Sequence, residues 1–180
     1  MTQQKSLPKS VALRLENIVQ IAGKNPDSKK KQIAYSNLLN IIASMISATS
    51  GSLLFYDEKT FFSTNISEYD SRKSGILERR DDHGETYDER EYKILFKWIN
   101  GNNHQPLTLH LDQLPINSTE RREFQTYAIQ TALYLPIIDD NQNFRAYIEL
   151  WESRYKRFYT EQERSDLMQA TQYITQVTML

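Results

Sequence analysis

Two apolar runs near the C-terminus, "TALYLPII" at 131–138 and "FRAYIELW" at 144–151, narrow the possible folds more than any other part of the chain. Each is rich in β-branched and aromatic residues, and only the polar stretch "DDNQN" separates them, so the pair reads as an antiparallel hairpin. Alternation puts Leu133 and Leu135 opposite Tyr134, and Ala146, Ile148 and Leu150 opposite Tyr147, Glu149 and Trp151. The strands are therefore two-faced. One side is plain aliphatic and suits a layer of helices; the other carries aromatic and polar groups.

Helices are readable on either side of this hairpin. Val11, Leu15, Ile18 and Ala22 recur at helical spacing between Pro8 and Gly23, which predicts an amphipathic helix over 11–22. A second, over 29–48, carries Ile33, Leu38, Leu39, Ile41, Ile42, Met45 and Ile46, a stripe too wide for one narrow contact. Asp27 is the expected cap of that helix and Gly51 its expected breaker. "SLLFYDEKTFFSTNI" then reads as two strands around a turn at 57–59. Residues 68–91 hold nine acidic and five basic side chains and read as a solvated loop or lid.

A helix over 87–99 would bring Ile94, Leu95, Trp98 and Ile99 onto one face, and Leu107, Leu109 and Leu111 alternate as in a half-buried strand. Another helix opens near Ser118. The last begins at Thr160, where Thr160 and Glu163 have the spacing of a capping box, and continues a stripe through Leu167, Ala170, Thr171, Ile174 and Val177. With no internal repeat and no Pro/Gly linker, the expectation is one α+β domain over 1–180: helix and lead-in at 1–27, terminal helix at 160–180, antiparallel strands between.

Composition excludes several kinds of chemistry. The 180 residues contain no cysteine, which removes disulfides, thiolate metal sites, cysteine nucleophiles and thioether attachment of a cofactor. A net charge of −1 gives no global field toward nucleic acid or anionic lipid. No run approaches the roughly 18 apolar residues a membrane span requires, and a cytoplasmic location is expected, without membrane or nucleic-acid partners. His83, His104 and His110 lack metal-ligand spacing, so no metal is expected. The five glycines form no phosphate-cradling motif and no serine sits in a nucleophile elbow, so the chain does not read as an enzyme. "RYKR" at 154–157 is a local basic patch that reads as a solvated connector.

The C-terminal third, "ALYLPIIDDNQNFRAYIELWESRYKRFYTEQERSDLMQ", resembles the closing segment of a GAF domain. Leu135, Pro136, Ile137 and Ile138 match that family's apolar strand with its "P-I/L" step. Ile148, Glu149, Leu150 and Trp151 match its "G-x-L-E-L-W" strand, and Phe158, Thr160 and Glu163 its "F-T/S-x-x-E" helix start. One departure is Arg145-Ala146, where the family often has glycine. The resemblance is specific over about the last fifty residues and compatible in outline from Ser28 onward.

What the resemblance implies is a sensory or regulatory module: an antiparallel sheet with helices on one face, and loops and short helices enclosing a pocket on the other. It also implies a homodimer through the first and last helices, coupled to an output domain. The ligand and cofactor remain unknown on this reading; without cysteine, covalent bilin attachment is excluded. The wall of the expected pocket would comprise Tyr147 and Glu149, with Tyr134, Trp98, Asp112 and Phe55. Two readings stay open. The pocket takes a small molecule or partner and signals through the terminal helices, or it is filled by its own aromatics and the domain is a dimerisation scaffold.

Overall fold

The computed structural model describes residues 7–24, 28–71, 83–101 and 103–179. Five helices, α1 (Lys9–Gly23), α2 (Ser28–Met45), α3 (Lys93–Ile99), α4 (Thr119–Thr126) and α5 (Glu161–Met179), accompany six strands: β1 (Ser50–Asp57), β2 (Phe62–Asp70), β3 (Thr86–Asp88), β4 (Leu107–His110), β5 (Thr131–Ile138) and β6 (Phe144–Glu152). The strands form one antiparallel sheet in the order β3-β2-β1-β6-β5-β4. No helix among the described residues is long and apolar enough to cross a membrane.

Strand β6 lies near the centre of the sheet and carries the two-faced pattern. Ala146, Ile148 and Leu150 join Leu53, Leu133, Leu135 and Ile137 in a core shared with α1, α2 and α5. Tyr147 and Trp151 join Leu54, Tyr134 and Phe144 in a second core, closed by α3 and α4. The apolar stripe of α5 is consumed within the chain: Leu167, Ala170, Ile174 and Val177 are wholly buried, as are Leu15 and Ala22 of α1. Exposed apolar side chains remain at Leu13 and Ile21 of α1 and Ile33 of α2.

The terminal helix starts as its sequence predicts. Thr160 Oγ1 accepts from Glu163 N at 3.1 Å, and Glu163 Oε2 accepts from Thr160 N at 2.8 Å. Ser118 caps α4 by accepting from Arg121 N at 3.1 Å. The β5–β6 turn is organised by Asp139, whose carboxylate accepts from the backbone N–H of Asn141 and Asn143 and from Arg145 Nε. These bonds hold the Asp139 carboxyl down at about 2, below the usual carboxylate range.

Several expectations are corrected. Helix α2 ends at Met45 because Ser47 adopts a left-handed φ of 50° and Ala48 N returns to Ala43 O; Gly51 sits inside β1 instead of breaking the helix. Residues 86–88 pair with β2 as an edge strand, so the helix expected from Tyr87 starts only at Lys93. Leu111 leaves the strand pattern for a 3-10 turn at Leu111–Gln113. Of the expected lid, residues 68–70 belong to β2 and 86–88 to β3, while 72–82 lie outside the described residues, as does Asp27.

Gly51 is required by close approach. A Cβ there would stand 2.6 Å from Glu149 O and 2.8 Å from Leu150 Cδ2 on the neighbouring strand. Backbone on one side cannot yield without disturbing the central ladder. Gly51→Ala is expected to cost about 2 kcal/mol and to lower the midpoint of thermal unfolding by several degrees, measured by circular dichroism.

Candidate functional site

The face of the sheet away from α1, α2 and α5 is an aromatic chamber. Trp98 of α3 meets Phe144 at 5.4 Å, Tyr134 at 6.1 Å and Tyr147 at 6.3 Å between ring centroids. Tyr56 of β1 contacts Phe144 edge-on at 5.9 Å. Tyr134 and Tyr147 are each 2% exposed, and Trp98 ties itself to the loop before β4 through Nε1, which donates to Gln105 O at 2.7 Å. Tyr127, just past α4, stacks on Trp151 at the far end. Distances of this size are those of rings in mutual contact.

Buried carboxylates stand among the rings. Glu89, in the 3-10 turn Glu89–Glu91, is 1% exposed, and its Oε1 accepts from Tyr147 OH at 2.7 Å. Burial pushes the Glu89 carboxyl above its ordinary value, against the opposing influence of the Ser63 and Tyr147 hydroxyls. The second oxygen, Oε2, closes no hydrogen bond among the described residues, nor does Ser63 Oγ or Asn65 Oδ1. Ser63 and Asn65 occupy the chamber face of β2, opposite Tyr56 and Leu54. Glu149 is buried on β6, level with Tyr134 on β5.

The Tyr134 phenol is held far above its ordinary value, first by burial and then by the charges of Glu149, Glu123, Glu89 and Glu120. Tyr147 is raised for the same reasons, by burial and by Glu89 and Glu149. Both phenols therefore stay protonated, and Tyr147 donates to Glu89.

Four of the six residues expected at a site come together here: Tyr147, Glu149, Tyr134 and Trp98. Phe55 does not. It lies on the helical face, edge-on to Tyr35 at 5.3 Å, because the parity of β1 sends Leu54 and Tyr56 to the chamber. Asp112 is an exposed residue that pairs with Lys156 at 2.6 Å, outside the aromatic contacts. The residues that sequence reasoning missed are Glu89, Ser63, Asn65, Tyr56 and Phe144. Phe144 reaches the chamber through a bulge, since β6 pairs Ala146 with Ile137 but Phe144 with Ile138. Glu89 resembles its neighbours Glu85 and Glu91 in sequence, yet those two are exposed.

Elsewhere, a cavity of about 570 Å³ opens at the end of the sheet beside Phe55, Ile137, Ala146 and Thr178, and a groove of about 940 Å³ runs between β5 and α5. Neither is lined by Tyr147 or Glu149. The three histidines are separate: His83 is exposed, His104 packs on Phe144, and His110 shares a hydrogen bond with Thr131. No group of three or more acidic or histidine side chains among the described residues is placed to hold a metal ion. The "RYKR" patch is largely engaged within the chain. Arg154 bonds Glu152 and Ser47 O, Lys156 bonds Asp112, and Arg157 bonds Glu163 and Ile46 O.

No protein-family model matches the sequence, and no curated protein matches it. Solved structures do match. The chain is similar to the phycoerythrobilin-bound GAF domain from a cyanobacterial phytochrome, with a TM-score of 0.72 over 97% of this chain and 98% of that one, at 11% identity. It is also similar to a far-red cyanobacteriochrome photoreceptor, with a TM-score of 0.67, 94% and 98% coverage and 13% identity. A third match is the GAF domain of PixJ from Thermosynechococcus elongatus, with a TM-score of 0.62, 84% and 88% coverage and 10% identity. The fold is GAF-like and α+β.

The electrostatics of Glu89 give a pH test. Its folded-state pKa lies above the unfolded value near 4.5, so its contribution to stability is greatest below that pH and is lost as pH rises through the folded value. Denaturant unfolding from pH 4.5 to 8 should show the wild type losing stability relative to Glu89→Gln as pH increases. Parallel curves would mean that Glu89 does not titrate differently on folding.

Proposed function

We propose that the chain is a sensory or regulatory module that binds a small molecule on the chamber face and acts without catalysis. The observation that carries this reading is Glu89: a buried carboxylate, half satisfied by Tyr147, in a wall of aromatic rings. Buried polar groups ordinarily find partners, and a ligand that donates to Oε2 would supply the missing one. Transmission has a short path. Tyr147 and Glu149 alternate on β6 with Ile148 and Leu150, which pack under α1, α2 and α5, so a displacement of β6 is felt directly by the terminal helices.

The GAF-fold neighbours include phycoerythrobilin-bound and phycocyanobilin-bound GAF domains from a cyanobacterial phytochrome. The residues present here do not fit a covalently attached bilin, because the chain has no cysteine and the Trp98, Phe144, Tyr134 and Tyr147 rings already touch one another. That same ring packing favours a second reading, in which the chamber is self-filled and the domain is a scaffold. Thermal unfolding in the presence of nucleotides, haem, tetrapyrroles and amino acids separates the two. A ligand present at 100 times its Kd should raise stability by about 2.7 kcal/mol, and Tyr147→Phe should reduce the shift. No response to any compound leaves the scaffold.

We also propose a cytoplasmic homodimer, with the interface on the outer surface of α1 at Leu13 and Ile21, since the inward stripes of α1 and α5 are already buried. Sedimentation velocity at micromolar concentrations should find a dimer for the wild type and a monomer for Leu13→Glu/Ile21→Glu. An unchanged sedimentation coefficient would place any interface elsewhere.

A further inference from the structure

The cavity of about 570 Å³ at the end of the sheet lies on the helical face, and its floor follows from the strand registers. One row across β1, β6 and β5 pairs Phe55, Ala146 and Ile137; two residues along, the next row on that face pairs Leu53, Ile148 and Leu135. The second row is filled by three large side chains, all wholly buried. The first has only a methyl group at its centre, so a recess opens between Phe55 and Ile137. The roof does not fill it, because α5 brings the short side chains of Thr175 and Thr178 to this level. Tyr35 of α2 supports one wall, edge-on to Phe55 at 5.3 Å and with its hydroxyl 3.4 Å from Thr178 Oγ1. An apolar floor, a few polar groups above it and this volume are the attributes of a small-molecule site.

The polar groups at the rim select the head of a ligand. The Asp139 carboxylate is engaged inside the β5–β6 turn, where it accepts from Asn141 N, Asn143 N, Asn143 Nδ2 and Arg145 Nε. That last bond holds the Arg145 guanidinium at the rim, while its terminal nitrogens make no hydrogen bond with a described residue. These nitrogens only donate, so they call for an acceptor. An ammonium has no lone pair to offer them. A carboxylate has, but it would meet the exposed Asp140, the Asp139 charge that already neutralises Arg145, and the carbonyl end of α5. A neutral carbonyl accepts and brings no charge.

We propose that this cavity is a second binding site, separate from the chamber, for a neutral and largely apolar molecule that carries one carbonyl group. Its body rests on Phe55, Ala146 and Ile137, and its oxygen accepts from Arg145. Such a molecule bridges the start of β6 and the last turns of α5, so occupancy ties the terminal helix to the sheet.

Four probes with one ring system test the site: 2-acetylnaphthalene, 2-ethylnaphthalene, 2-naphthoate and 2-naphthylmethylammonium, each measured against the full chain by equilibrium dialysis. The ketone is expected to bind at one site per chain and at least about fivefold more tightly than the hydrocarbon, as one hydrogen bond to a partly exposed charged donor implies. It should also bind more tightly than either ion. Arg145→Met, which keeps an apolar stem, should bring the ketone down to the hydrocarbon and leave the hydrocarbon within about twofold. Thr175→Trp, at a half-buried position on α5, should fill the recess and remove binding of both; Arg145→Met, at an exposed position, is the check if that variant does not fold. Equal affinity for ketone and hydrocarbon, tighter binding of the naphthoate or the ammonium, or a ketone affinity indifferent to both variants overturns the proposal. So does loss of binding in Tyr147→Phe with Thr175→Trp unaffected, which puts the probe in the chamber and keeps the sensory reading. Silence toward all four removes this site and leaves the chamber to be judged by its own compounds.

Discussion

Strand β6 is hydrogen-bonded on both edges, to β1 and to β5, and buried on both faces. A slip of one residue in either register would exchange Ala146, Ile148 and Leu150 with Tyr147, Glu149 and Trp151, driving a carboxylate into the helical core. The cost of that exchange holds the sheet in place, and the neighbouring strands inherit their facing from it. Gly51 lets β1 approach closely enough to complete one ladder. On the other side, Pro136 lies beyond the last pairing of β5 with β4, Leu107 with Tyr134, where a missing N–H costs that ladder nothing.

The buried carboxylates differ in how completely they are satisfied, and that difference separates scaffold from site. Glu152 accepts from Thr49, from the Arg154 backbone and from the Arg154 side chain, closing the junction between β6 and the connector to α5. Burial works against its charged form, but these donors prevail and hold its carboxyl below the ordinary value. Glu120 gives one oxygen to Ile94 N at 2.7 Å, fixing the start of α3 over the chamber. Glu89 meets only the hydroxyls of Tyr147 and Ser63, and burial prevails there. A charge left in this condition is costly to a structure that has no other use for it.

Much of the architecture was legible because it depends on local chemistry. The β5–β6 hairpin, the sorting of its faces and the capping box at Thr160 each follow from side chains within a few residues of one another. The placing of Phe55 was not legible in the same way. Leu53, Leu54, Phe55 and Tyr56 are apolar or aromatic at both parities, so nothing local tells which pair faces the helices. Asp112 looked available and is spent on Lys156, a residue 44 positions away. Tyr87 fits a helical pattern, but the open edge of β2 recruits residues 86–88 as a strand.

By itself the sequence determined the class of fold, the two-faced central hairpin, the start of the terminal helix and the absence of thiol chemistry, since periodicity, capping and composition act over short distances. Tertiary structure alone decided that Glu89 is buried while Glu85 and Glu91 are not, and that a bulge turns Phe144 toward Trp98. It also joined Tyr147 to a carboxylate 58 residues away. Burial is a property of what other segments cover, and no local pattern encodes it for a charged residue within a charged run.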